Sequence, residues 1–104
     1  MTQKRLAQIT KQIEKIKSDL LALDHMRPGS LTRQYKDPKN QTGPYYQLSY
    51  TRDMKSRTDY IPRDSVPEVR RLIANYKRFK TLTTKWVDLS IEQSRLRLRQ
   101  ARDP

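Results

Sequence analysis

The chain of 104 residues contains no cysteine, two glycines and a single histidine. Without cysteine it has neither disulfide bonds nor thiolate zinc sites, so its stability must come from packing. The two glycines, Gly29 and Gly43, are too far apart for the glycine-rich loops GxxxxGK and GxGxxG, which bind phosphate groups. No stretch approaches the roughly 18–20 apolar residues of a membrane helix, and the polar N-terminus lacks the apolar centre of a signal peptide. We therefore expect one domain, residues 1–104.

Acidic residues are also scarce: 11 Asp and Glu stand against 23 Lys and Arg, which gives a net charge of +12. This surplus favours a polyanionic partner such as nucleic acid. His25 stands alone near the end of a predicted helix, and no acidic residues cluster around it. We expect no catalytic centre, no metal site and no cofactor.

The first quarter of the chain predicts an amphipathic helix over residues 3–25. Its apolar residues follow each other at alternating steps of three and four, the spacing of a helical seam: Leu6, Ile9, Ile13, Ile16, Leu20 and Leu23. Pro28 and Gly29 follow and are typical of a helix end.

A three-stranded antiparallel meander is predicted over residues 30–61, where polar and apolar residues alternate. Turn-forming residues lie at 37–44 and at 53–55, and Pro62 ends the third strand. The alternation places Tyr46, Leu48 and Tyr50 on the face towards a helix. Gln47 and its alternate neighbours lie on the other face, a polar, hydrogen-bonding surface that we expect to be edged by Arg52, Lys55 and Arg57.

A second, long helix is predicted over residues 66–101, because Ser65 and Glu68 fit a capping box and Pro67 is tolerated in a first turn. Its seam again steps by three and four: Leu72, Asn75, Phe79, Leu82, Trp86, Leu89, Gln93 and Leu96.

These elements predict an α+β fold, a long antiparallel two-helix hairpin resembling a coiled coil, with the β-meander inserted between the helices. Aligning the two seams brings Arg5 opposite Glu92 and Asp19 opposite Arg78, which are pairs of opposite charge that select a register. Pairing within one chain and pairing between chains fit this pattern equally well.

A second apolar stripe remains on the long helix, at Val87, Ile91, Ser94 and Leu98. We expect Val87, Ile91 and Leu98 to form an oligomer interface, most simply in a homodimer. The alternative is a partly exposed helix end.

The densest basic cluster spans the junction between the sheet and the second helix. Aligned cations on a helix can follow successive phosphates, and polar or tyrosine side chains on a sheet can contact bases. An ordinary solvated sheet face and a protein-binding face are the alternatives, and Asp59 is a candidate partner for Arg52 or Arg57. The candidate nucleic-acid-binding residues are Arg33, Tyr45, Gln47, Arg52, Lys55, Arg57, Arg63, Arg70, Arg71, Lys77 and Arg78.

The sequence therefore predicts a non-enzymatic nucleic-acid-binding protein, with DNA favoured over RNA, in a regulatory or accessory role. The alternative is a coiled-coil adaptor or a subunit of a nucleoprotein complex, in which the basic surface is auxiliary.

The order of several short motifs resembles a family of small uncharacterised bacterial and archaeal proteins. The motifs are Arg27-Pro28-Gly29-Ser30-Leu31, Gly43-Pro44-Tyr45-Tyr46, Lys55-Ser56-Arg57, Tyr60-Ile61-Pro62 and Asn75-Tyr76 with Phe79. The resemblance implies the helix–sheet–helix topology and a bacterial or archaeal, cytoplasmic origin. Members of that family often carry clustered cysteines before the Gly-Pro-Tyr-Tyr stretch. Residues 36–42 contain none, so a metal-binding role does not carry over.

The segment Lys55-Ser56-Arg57 is also similar to the turn between strands two and three of the arm-type DNA-binding domains of tyrosine recombinases. This second likeness implies DNA binding by analogy of fold alone.

Overall fold

The structure is a computed structural model and describes residues 1–102. The chain forms helix α1 (Thr2–Leu21), strands β1 (Ser30–Asp37), β2 (Thr42–Arg52) and β3 (Lys55–Ile61), a 3-10 turn at Arg63–Ser65, and helix α2 (Val66–Arg102). This order confirms the predicted α+β fold. The described chain divides into two compact units, and the long helix α2 contributes to both: unit 1 contains Met1–Asp24 and residues 78–102, and unit 2 contains His25–Lys77.

Unit 1 is a pair of antiparallel helical segments, because its two predicted charge pairs join opposite ends of α1 to α2. Arg5 binds Glu92, and Asp19 lies 3.4 Å from Arg78. One apolar cluster contains eight of the predicted seam positions: Ile9, Ile13, Ile16, Leu82 and Leu89, with Leu20, Trp86 and Leu96 packed against them. This part of the predicted seam is therefore satisfied within one chain.

Helix α1 ends at Leu21, four residues before the predicted end at residue 25. The backbone N–H of Ala22 donates to the carbonyls of Ser18 and Asp19, both at 3.3 Å. Further along, backbone groups of the following segment bind α2 in unit 2. The carbonyl of His25 accepts a hydrogen bond of 2.7 Å from the side-chain amide of Asn75. Asn75, which the sequence placed in the helical seam, therefore serves as a hydrogen-bond donor to the chain that precedes the sheet.

The sheet of unit 2 is the predicted meander, with strand order β1-β2-β3 and both pairs antiparallel. Leu48 on the central strand pairs with Leu31 on one side and with Asp59 on the other. A two-residue turn, Asp53-Met54, joins β2 to β3 with φ of +53° and +63°. Positive φ at both positions is typical of the type I′ turn, which matches the twist of a hairpin.

The core of unit 2 lies between the sheet and the first three turns of α2. Leu48 is fully buried, and the partly buried Leu31 and Tyr46 pack against the same cluster. The buried members of the cluster on α2 are Val66, Val69 and Ile73, and Ile61 joins them from β3. The predicted seam placed Leu72 and Asn75 on the packed face of this part of the helix. The signal for the actual face was present in the sequence, since residues 66, 69 and 73 are apolar at helical spacing.

Candidate nucleic-acid interface

A groove in unit 2 runs between the first turns of α2 and the start of β1. Its volume is about 420 Å³. Arg70, Ala74 and Lys77 line it from the helix, where they lie on one face at steps of four and three. Gly29, Ser30 and Leu31 line the other side, and Ile73 also contributes. Two predicted basic residues, Arg70 and Lys77, thus border the same groove.

Two backbone features hold the walls of this groove together. The N–H of Arg27 donates to the carbonyl of Leu72 at 3.0 Å, which ties the chain before Gly29 to α2. Gly29 itself has φ of +138°, and a Cβ atom there would lie 2.7 Å from the Cδ1 atom of Leu48. Because Gly29 has no side chain, β1 can begin directly over the buried Leu48.

The cations of the groove keep their charge available to a partner. Arg70 and Lys77 are exposed, and neither forms an ion pair with any residue of the described chain, 1–102. Two other predicted contact residues have acidic partners. Arg71 donates to both carboxylate oxygens of Glu68, at 3.1 and 2.8 Å. Arg78, which belongs to unit 1, is paired with Asp19.

The strands divide the remaining predicted residues between the two faces of the sheet. By strand alternation Tyr45 and Gln47 lie on the face opposite Leu48. That face carries hydroxyl groups that contact each other across strands, with Ser49 and Thr58 at 3.5 Å. The basic residues Arg33, Arg52, Lys55 and Arg57 alternate in phase with Leu48, so they belong to the face that α2 partly covers. The expectation that Arg52, Lys55 and Arg57 edge the polar face of the sheet is therefore wrong, since all three lie in phase with Leu48 on the other face.

The ion pair of Asp59 also differs from the expectation. Its carboxylate accepts a hydrogen bond from Arg27, and not from Arg52 or Arg57. The guanidinium of Arg27 lies 4.7 Å from the centre of the Tyr50 ring as well. On β1 the guanidinium of Arg33 lies 5.4 Å from the ring centre of Tyr35. The sequence did not indicate Arg27 as the partner of Asp59, because only the folded sheet brings the two side chains together.

The other predicted residues lie apart from this groove. Arg63 is exposed in the 3-10 turn before α2. Val87, Ile91 and Leu98, the expected oligomer interface, are exposed on the part of α2 that belongs to unit 1.

Within residues 1–102, no group of three His, Asp or Glu side chains is placed to hold a metal ion. In the same range, no helix combines the length and apolar character required to cross a membrane.

Comparison with known proteins gives a family for this chain. Residues 2–71 match a family model described as a domain of unknown function, DUF6788. The chain belongs to the DUF6788 family. The match covers α1, the sheet and the first turn of α2, and it agrees with the resemblance to an uncharacterised family. No curated protein and no solved structure matches the chain. None of these comparisons supports the analogy with tyrosine recombinases, and the DUF6788 description assigns no activity or ligand.

Proposed function

We propose that this DUF6788 protein is a non-enzymatic nucleic-acid-binding protein that takes a phosphodiester backbone of DNA in the groove between α2 and β1. The observation that carries the proposal is the position of Arg70 and Lys77, both exposed at one groove without an acidic partner in the described chain. Arginine and lysine are the side chains that bind phosphate most directly.

The spacing of these cations suits a regular polyanion. They are seven residues apart, so they are separated by about 10.5 Å along the helix axis. Because this separation is much longer than the axial rise of about 3.4 Å per phosphate in one strand of B-DNA, the two cations contact different phosphates. Small groups lie between the cations: Ala74 on the helix, and Ser30, whose exposed hydroxyl can donate to a phosphate oxygen.

The net charge of +12 also favours nucleic acid as the partner, since it attracts a polyanion at long range, before any contact forms. Contact with DNA is confined to the groove and to the sheet cations in phase with Leu48. Tyr45 and Gln47 make no base contact, because they lie on the opposite face of the sheet.

Fluorescence anisotropy with a labelled DNA duplex, a DNA single strand and an RNA duplex tests the proposal across a salt series. We expect the DNA duplex to bind most tightly and its affinity to fall steeply with salt. The double substitution Arg70→Ala with Lys77→Ala should weaken binding and reduce the salt slope by about two, since each phosphate contact contributes about 0.9.

A matched control separates the groove from net charge. Lys4 and Lys11 on α1 are exposed, seven residues apart and unpaired by any acid of the described chain. Lys4→Ala with Lys11→Ala removes the same charge and should leave the slope nearly unchanged. Equal effects of the two double variants would show that net charge, and not the groove, governs binding. Absence of binding at about 50 mM salt, where phosphate contacts are strongest, would refute the function itself.

A further inference from the structure

An apolar stripe on α2 remains exposed in unit 1. Val87, Ile91 and Leu98 are exposed by 58%, 46% and 65%, although all are large apolar side chains. Val87 and Ile91 line a groove of about 620 Å³ together with Trp86, Ser90 and Ser94. The cluster that packs against α1 contains none of the three exposed residues. Contiguous exposed apolar surface of this kind marks a site of interaction.

We propose that this stripe binds the same stripe of a second copy of the chain, with the two α2 helices antiparallel. The stripe comprises residues 87, 91, 94 and 98, whose steps of four, three and four are those of a helical seam. A twofold axis midway between Ile91 and Ser94 places Val87 against the second copy's Leu98. It also places Ile91 against the second copy's Ser94, a small side chain that allows the helices to approach closely.

The charged side chains beside the stripe favour a second copy of the chain as its partner. Asp88 and Arg95 are seven residues apart, so they flank the stripe on the same side of α2. In the antiparallel register Asp88 lies beside the second copy's Arg95, and the symmetry repeats the pair. Neither residue forms an ion pair with any acid or base among residues 1–102, which leaves both available.

A parallel arrangement of the same stripe lacks this complementarity. Side chains that flank a parallel seam meet partners five residues further along the second helix. Arg97 would then lie beside the second copy's Arg102 on both sides of the dimer, and Asp88 would face only Thr83. Repulsion between like charges disfavours that arrangement, so the sequence of the flanks specifies the antiparallel dimer.

Sedimentation equilibrium of the full chain tests association directly, at about 0.3 M salt to screen the repulsion between basic chains. We expect twice the mass of the chain. Ile91→Asp should raise the dissociation constant by more than about tenfold, because it places a charge at the centre of the interface. Leu21→Asp is the matched control, since Leu21 is 87% exposed on α1 and outside the stripe. A monomer throughout, or equal effects of both variants, would overturn the proposal.

Charge exchange tests the register without disturbing the apolar contacts. Asp88→Arg and Arg95→Asp should each weaken association, and the double variant should restore it. Circular dichroism confirms that each variant keeps its helices. Failure of the double variant to restore association would overturn the antiparallel pairing.

The absence of native cysteine allows a second test of register by disulfide formation. A mixture of Ile91→Cys and Ser94→Cys chains should form the mixed disulfide in preference to either symmetric one. A preference for the symmetric disulfides would show a parallel pairing and would contradict the proposal. This dimer does not depend on the proposed nucleic-acid binding, so either proposal can fail while the other holds.

Discussion

The guanidinium of Arg5 donates two hydrogen bonds to the carboxylate of Glu92, at 2.6 and 2.7 Å, and joins the start of α1 to the last third of α2. The hydrogen bond from Arg5 is the main cause that lowers the pKa of Glu92. Partial loss of hydration opposes this effect, and the charge of Arg5 adds to it. The same contact raises the pKa of Arg5.

Stability of unit 1 should therefore depend on pH in the acid range. The folded-state pKa of Glu92 is below its unfolded value of about 4.3, so its contribution is present above that value and is lost as the pH falls through the folded pKa. Thermal melts between neutral and acid pH should show that the deficit of Glu92→Gln, relative to the unmodified chain, shrinks as the pH falls. Glu14→Gln, at an exposed pair with Lys17 within one helix, is the control and should show a smaller deficit at neutral pH. A Glu92→Gln deficit that is independent of pH would contradict the assignment.

Exchanging the two charges should preserve the helix register. Arg5→Glu alone and Glu92→Arg alone each place like charges together, so each variant should melt at a lower temperature than the unmodified chain. The chain with both substitutions should recover most of that loss, because the pair is restored with its direction reversed. Losses that simply add in the double variant would show that the two side chains do not interact.

The helix register of unit 1 could be predicted from the sequence, which left open whether the helices pair within one chain or between chains. The same steps of three and four occur in both helices, and only one alignment opposes Arg5 to Glu92 and Asp19 to Arg78. The end of α1 could not be predicted in the same way. The chain after it makes a contact that is distant in sequence, the hydrogen bond from Asn75 to the carbonyl of His25, which no local pattern encodes.

The candidate site was less predictable than the fold. Strand alternation was visible in the sequence, yet Arg52 and Arg57 were expected at the edge of the polar face, whereas the strand pairing puts them in phase with Leu48. The groove arises where Gly29 and Ala74 leave space between a strand and a helix, and that space is a tertiary property. Sequence identified Arg70 and Lys77 as cations on a helix, while only the structure shows what lies opposite them.

Arg27 should stabilise unit 2 through contacts that lysine cannot reproduce. Its guanidinium binds Asp59 and stacks over Tyr50, and a planar group is required for both together. The pair is partly exposed, so we expect Arg27→Lys to cost about 1 kcal/mol in urea unfolding. Arg63→Lys, at an exposed position in the 3-10 turn, should leave the midpoint unchanged. Equal midpoints for both variants would show that the charge of Arg27 alone matters.

Gly29 should be the less replaceable of the two glycines. A Cβ at Gly29 would lie 2.7 Å from Leu48 Cδ1 and 3.0 Å from the Ser49 carbonyl, and Leu48 is fully buried and cannot move aside. We expect Gly29→Ala to cost about 2 kcal/mol or more. At Gly43 a Cβ would lie 3.0 Å from the Cβ of Lys36, a smaller overlap at an exposed position, so Gly43→Ala should cost only about 1 kcal/mol. Urea unfolding measures both, and a reversed order would contradict the packing around Leu48.

Met54 should be a position where substitution stabilises the sheet. Its φ of +63° is unfavourable for a side chain, and the side chain is 92% exposed, so its removal loses little packing. Glycine adopts this conformation without strain, although it adds entropy to the unfolded chain. We expect Met54→Gly to raise the free energy of unfolding by about 0.5–1 kcal/mol, the balance of these two effects. Met54→Ala keeps the unfavourable φ and should give no such gain. An equal gain from alanine would show that removal of the exposed methionine, and not relief of the turn, is responsible.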